Sequence, residues 1–129
     1  MIDAQGCDPA RLADVDTLQA LFARIIAKLD LRPVAEAQWH AFPSLGVHPG
    51  GITGLCLLAE SHLAVHTFPE HGSLCLNLFC CRPRPEWDVR QELSALFASA
   101  TPLDLQVRRL ERRYASTNDH VQRPVYPGS

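Results

Sequence analysis

From Ile52 to Cys81 apolar and polar residues take turns, and this period of two constrains the fold more than anything else in the chain. Successive side chains of a strand point to opposite faces. Residues 52–58 and 62–68 therefore read as two strands, with Ser61 at or near their junction. In the second, Leu63 and Val65 share one face while His62, Ala64 and His66 share the other, so both imidazoles point the same way. Leu74, Leu76 and Leu78 alternate with Ser73, Cys75, Asn77, Phe79 and Cys81, which predicts a third strand with Cys81 on the Asn77 face and Cys80 on the opposite one.

Helical spacing flanks these strands. Residues 14–29 carry Leu18, Leu21, Phe22, Ile25, Ile26 and Leu29 with polar residues between, an amphipathic helix that Pro33 follows closely. Residues 34–42 have room for a short strand, and 43–54, rich in Pro and Gly, read as loop or turn. After Pro83 and Pro85, a second helix is predicted over 86–97 through Val89, Leu93, Leu96 and Phe97. Leu103, Leu105 and Val107 alternate as a last strand, and the tail over 112–129 is polar, without a period, and expected to be flexible in part. Helix, strands, helix, strand with short links predicts one α+β domain over 1–129, a two-layer α/β sandwich with helices on one face of a mainly antiparallel sheet.

Composition narrows the function classes. About half the residues are apolar, enough for a core in a chain of this length. A net charge of -2 makes no electrostatic case for nucleic acid or an anionic membrane as partner. No apolar run approaches the roughly 20 residues that span a bilayer, and no basic-then-apolar leader is present, so a soluble cytoplasmic protein is expected. The five cysteines, at 7, 56, 75, 80 and 81, include no C-x-x-C pair, so neither a disulfide framework nor a metal site is expected. Cys56 and Cys75 read as small buried hydrophobes.

The run Ala59-Glu60-Ser61-His62-Leu63-Ala64-Val65-His66-Thr67-Phe68-Pro69-Glu70 places a hydroxyl, two imidazoles and two carboxylates on one strand. That is more chemistry than a strand needs. The run resembles the processing-site motif of the small bacterial S-adenosylmethionine decarboxylases, usually Glu-Ser-His-(apolar)-(small)-(apolar)-His-Thr-Trp-Pro-Glu. The likeness extends to Gly6-Cys7-Asp8, to Pro49-Gly50-Gly51-Ile52-Thr53-Gly54 and to Gly72-Ser73-Leu74-Cys75-Leu76-Asn77-Leu78-Phe79-Cys80-Cys81, covering about residues 6 to 112. Family members usually carry a longer first strand than the five residues before Gly6 allow.

The resemblance implies a chain that cuts itself between Glu60 and Ser61, into 1–60 and 61–129, and turns Ser61 into a pyruvoyl group. A serine hydroxyl is a poor nucleophile at its ordinary pKa, so the cut needs strain and a group to handle protons. In the family's route the Ser61 oxygen displaces the Glu60 amide to an ester. Loss of the Ser61 Cα proton, with His66 as general base, then expels the carboxylate, and the residue left hydrolyses to pyruvoyl and ammonia. Thr53 stands where the family uses a hydroxyl to assist processing. The pyruvoyl group serves as the electron sink for carbon dioxide loss, and Cys81 matches the family's general acid.

Departures from the motif bear on the substrate. Phe68 stands for the usual Trp and keeps an aromatic face for adenine. The family's second stacking residue is matched by Phe42 in His40-Ala41-Phe42, although counting back from Ser61 without a gap reaches Val47 instead. His62 and Glu70 complete the implied substrate-binding set. Asn77 replaces an acid, and Arg82 follows Cys81 where the family has Gly. The leading expectation is a small-molecule enzyme, a pyruvoyl-dependent S-adenosylmethionine decarboxylase feeding spermidine synthesis, working as a homodimer of processed protomers with sites near the interface. The alternatives are a pyruvoyl-dependent arginine or ornithine decarboxylase and a catalytically silent regulatory relative.

Overall fold

The computed structural model describes residues 1–44, 46–82 and 84–110. In chain order these form β1 (Ile2–Gln5), α1 (Pro9–Leu12), α2 (Val15–Lys28), β2 (Gln38–Ala41), β3 (Ile52–Leu58), β4 (Ser61–Phe68), β5 (Ser73–Phe79), α3 (Val89–Phe97) and β6 (Asp104–Val107). The six strands make one sheet in the order β2-β3-β4-β5-β1-β6, with every neighbouring pair antiparallel. The α+β class and the antiparallel sheet are as the alternation predicts. Although only four residues long, β1 is inserted between β5 and β6.

Burial follows the period of two. Leu63, Val65, Leu74 and Leu76 are sealed in the core, while His66 and Asn77 are exposed on the other face. Against the inward face lies α2, begun by Asp14, whose carboxylate accepts from Asp16 N (3.3 Å) and Thr17 Oγ1 (2.6 Å). Its Leu18, Leu21, Phe22 and Ile25 are buried, a side-chain burial worth about 1.5–3 kcal/mol each. Glu92 on α3 accepts an ion pair from Arg24 at 3.1 Å and a longer one from Lys28 at 3.7 Å, which ties the two helices together.

Three predicted boundaries move. The strand expected over 34–42 shrinks to β2, because Pro33 sits opposite Leu58 and Gln38 opposite Leu55. Five steps on the edge strand thus face three on β3, and the excess loops out of the ladder. The turn expected to reach Gly54 stops at Gly51, since Ile52–Gly54 already pair with β2 and β4. Gly54 is needed there because the Trp39 ring lies against it and would collide with a Cβ. The second helix starts at Val89 rather than at 86, where Asp88 accepts from Gln91 N at 3.0 Å. The tail over 112–129 lies outside the described residues. No helix among the described residues is long and apolar enough to cross a membrane.

Candidate active site

The β3–β4 hairpin pairs Leu58 with Ser61, so its turn consists of Ala59 and Glu60 alone. Glu60 adopts φ 60°, the left-handed region that costs a residue with a Cβ about 1–2 kcal/mol. Its carbonyl is the one next to Ser61. The Glu60 carboxylate is held by Arg82, Nε donating to Oε2 at 2.9 Å. Ser61 is buried with Leu63 on the core side of β4, and its Oγ makes no hydrogen bond of ordinary geometry among the described residues, the Cys80 thiol being a polar group beside it. Leaving a buried hydroxyl unpaired costs about 1–3 kcal/mol.

Continuing the β4–β5 register one step past His62 and Phe79 sets Cys80 across from Ser61. Burial pushes the Cys80 thiol pKa up, an effect partly offset by the Arg84 guanidinium and by the nearby Ser61 hydroxyl. β5 ends at Phe79, before Cys80 and Cys81, so the alternation expected to carry through Cys81 stops short of both. Cys80 packs against the core, and Cys81 follows it half-buried. His62 stacks on Phe79 with ring centroids 5.2 Å apart.

A second group gathers at the far end of β4. Thr53 and His66 are cross-strand partners, with Oγ1 and Nδ1 2.9 Å apart. They line a cavity of about 430 Å³ together with Phe42, Phe68 and Glu70. Both Phe side chains are well exposed, Phe42 53% and Phe68 42%, and the Phe42 ring meets His40 edge to face at 4.6 Å. Val47 is 94% exposed and takes no part in this cavity, so Phe42 is the second aromatic. Glu70 reaches the cavity from a 3₁₀ turn over Pro69–His71, which Gly72 ends at φ 61°.

Thr67, which the sequence reading passed over, proves structural. It accepts from Ile52 N at 2.8 Å and donates to the Leu12 carbonyl at 2.8 Å, pinning β3, β4 and the end of α1 together. Its place on the buried side of β4 sets it apart from His62 and His66, although Ser61 shares that side.

The chain therefore brings Thr53, His66, Phe42, Phe68 and Glu70 together at one end of β4, and Glu60, Ser61, Cys80 and Arg82 together at the other. It does not bring Ser61 to His66. Five steps along the strand separate them, roughly 17 Å at about 3.3 Å per residue, and they project from opposite faces. Among the described residues no cluster of His, Cys, Asp or Glu is suited to a metal ion.

The left-handed Glu60 beside a buried Ser61 and the separate cavity lined by Phe42, Phe68 and Glu70 are the geometry with which the chain meets its relatives. Residues 1–113 match the family model of S-adenosylmethionine decarboxylase. The chain is 33% identical over 122 residues to the S-adenosylmethionine decarboxylase proenzyme of Pyrococcus furiosus, covering 91% of this chain and 84% of that one. It is 34% identical over 98 residues to proenzyme 2 of Halalkalibacterium halodurans, covering 74% and 72%. The crystal structure of the adenosylmethionine decarboxylase from Aquifex aeolicus matches with a TM-score of 0.61 at 22% identity over 92% of each chain, which shows the shared fold. The chain belongs to the S-adenosylmethionine decarboxylase family, and its class is that of a decarboxylase made as a proenzyme.

Proposed function

We infer that this protein decarboxylates S-adenosylmethionine in the cytoplasm, supplying the aminopropyl donor for spermidine synthesis, after cutting itself between Glu60 and Ser61 into 1–60 and 61–129. The observation that carries the reading is the left-handed Glu60 beside a buried Ser61 whose Oγ makes no hydrogen bond of ordinary geometry. The same hydroxyl is what a pyruvoyl group made from Ser61 requires of its parent residue, so the residues present fit that cofactor. Once formed, the group supplies an electron sink for the bond to the departing carboxylate. Cys81, a short step beyond β5 from the Ser61 end, is the residue proposed to return a proton to the substrate carbon.

Substrate recognition belongs to the other end of β4. Phe42 and Phe68 offer ring faces to an adenine, and Glu70 offers a carboxylate to the polar or cationic remainder of the substrate. Thr53 orients His66 through their shared hydrogen bond. His62 is proposed to border the substrate from its stack on Phe79.

The working unit is proposed to be a homodimer of processed protomers, and because Ser61 and His66 lie apart in one chain, the His66 that serves Ser61 is taken to come from the other protomer, reaching it around the β3–β4 turn rather than through the sheet. Two features support it. The sheet face opposite the helices exposes Leu55, Leu57 and Phe68. A two-fold axis perpendicular to β4 near its midpoint would set the two ends of one β4 against the opposite ends of its partner's, twice over.

Intact mass under denaturing conditions tests the cut. Two fragments ending at Glu60 and beginning with a blocked residue are expected from the wild-type chain, and one uncut chain from Ser61→Ala. A cut in Ser61→Ala would overturn the assignment. Release of labelled carbon dioxide from arginine or ornithine, and not from S-adenosylmethionine, would overturn the substrate.

A further inference from the structure

The left-handed turn at Glu60 has to be held, and the side chain that holds it lies 22 residues away. Main-chain contacts fix the start of the turn: Leu58 pairs with Ser61, and Ala59 N donates to the Arg32 carbonyl at 2.8 Å. Glu60 itself is gripped through its carboxylate, which accepts from Arg82 Nε at 2.9 Å while its side chain is only 12% exposed. A charge-assisted bond to a carboxylate so shielded from water is stronger than one on the open surface. Neighbouring cations are engaged elsewhere, Arg32 with Asp30 at 3.9 Å and Arg84 with the Asp30 carbonyl at 3.0 Å. Relaxing Glu60 to a right-handed φ would swing its carboxylate off the guanidinium, so the ion pair and the backbone strain oppose each other directly.

We propose that Arg82 is a positioning residue for self-cleavage: by anchoring the Glu60 side chain it holds the Glu60 carbonyl carbon in the strained turn where Ser61 Oγ attacks it. The proposal rests on the cut between Glu60 and Ser61. Arg82 acts through Glu60. In the step it assists, the Ser61 oxygen bonds to the Glu60 carbonyl carbon, the bond from that carbon to the Ser61 nitrogen breaks, and the hydroxyl proton passes to the released amine. Atoms and charge balance without an added reagent. After the cut Glu60 ends one fragment and Arg82 lies within the other, so the same ion pair then ties the fragments together.

Cutting is followed by denaturing mass analysis after synthesis in a cell-free system, for wild type, Arg82→Met, Arg82→Lys, Glu60→Gln and the double variant Glu60→Gln with Arg82→Met. Arg82→Met and Glu60→Gln should each slow cutting by a factor of about 5–30, the double variant no further than either single, and Arg82→Lys should recover part of the rate. Wild-type speed in Arg82→Met, or losses that multiply in the double variant, would overturn the positioning role. An uncut wild-type chain would instead overturn the cleavage reading itself. Melting of Arg82→Met in the uncleavable Ser61→Ala chain checks the fold; if it does not fold, Glu60→Gln, nearly isosteric, decides alone, and its wild-type speed would overturn the proposal.

Discussion

Co-expression of Ser61→Ala and His66→Ala chains should restore activity that neither has alone. Ser61 and His66 sit at opposite ends and on opposite faces of β4, roughly 17 Å apart along the strand, beyond the reach of any hydrogen bond within one chain. Loss of a general base typically costs about 10²–10⁴-fold, and loss of Ser61 removes the site outright, so each variant by itself should be nearly silent. In a two-fold dimer a mixed pair holds one site with both groups intact and one with neither. Random pairing makes about half of all dimers mixed, so total activity should return to about a quarter of wild type, and to about half in mixed dimers isolated through two different affinity tags. The assay is release of labelled carbon dioxide from S-adenosylmethionine, with fragments expected only from the His66→Ala chain. Mixed dimers that co-purify yet stay inactive would refute the two-chain site.

Phe68→Ala removes an exposed ring from the cavity beside Glu70. At roughly 1–3 kcal/mol for a base stacked on an aromatic, it should raise KM about ten- to a hundredfold and leave the rate of self-cleavage as in wild type, with an unchanged KM counting against adenine stacking. Burial pushes the Cys7 thiol from its usual 9.0 up to about 11. The unfolded chain therefore gives up this proton first, so the stability tied to Cys7 is fully present below pH 9 and is lost between pH 9 and 11, by up to about 3 kcal/mol. Urea melts at pH 8, 9.5 and 11 should show this extra loss in wild type and not in Cys7→Ala, and parallel slopes would refute it.

Period-two alternation identified β3, β4 and β5 and told their faces apart, because the pleat makes a side chain's direction a property of its immediate neighbours. Helical spacing found the buried stripe of α2 for the same reason. The order of residues from Glu60 to Glu70 was enough to name the chemistry. Where the local rules met a cap, an edge or a strand end they lost accuracy: Asp88 delayed α3, the looped-out residues shortened β2, and β5 stopped before its two cysteines.

The composition of the site was decided in three dimensions. Which aromatic joins Phe68 turned on the path of the loop after β2, and that path put Phe42 in the cavity and Val47 in solvent. Thr67 became a structural clamp because α1, 55 residues away, ends beneath it. Arg82 acquired a task because the chain beyond β5 returns to the β3–β4 turn. Ser61 and His66, five positions apart in one motif, were parted because a strand spaces its residues by about 3.3 Å and alternates their faces. The sequence by itself determined the family motif and which strand faces are buried, since those depend on residue type and on neighbours along the chain. Only the tertiary structure decided which reactive groups meet, since that depends on how distant strands, loops and turns are set beside one another.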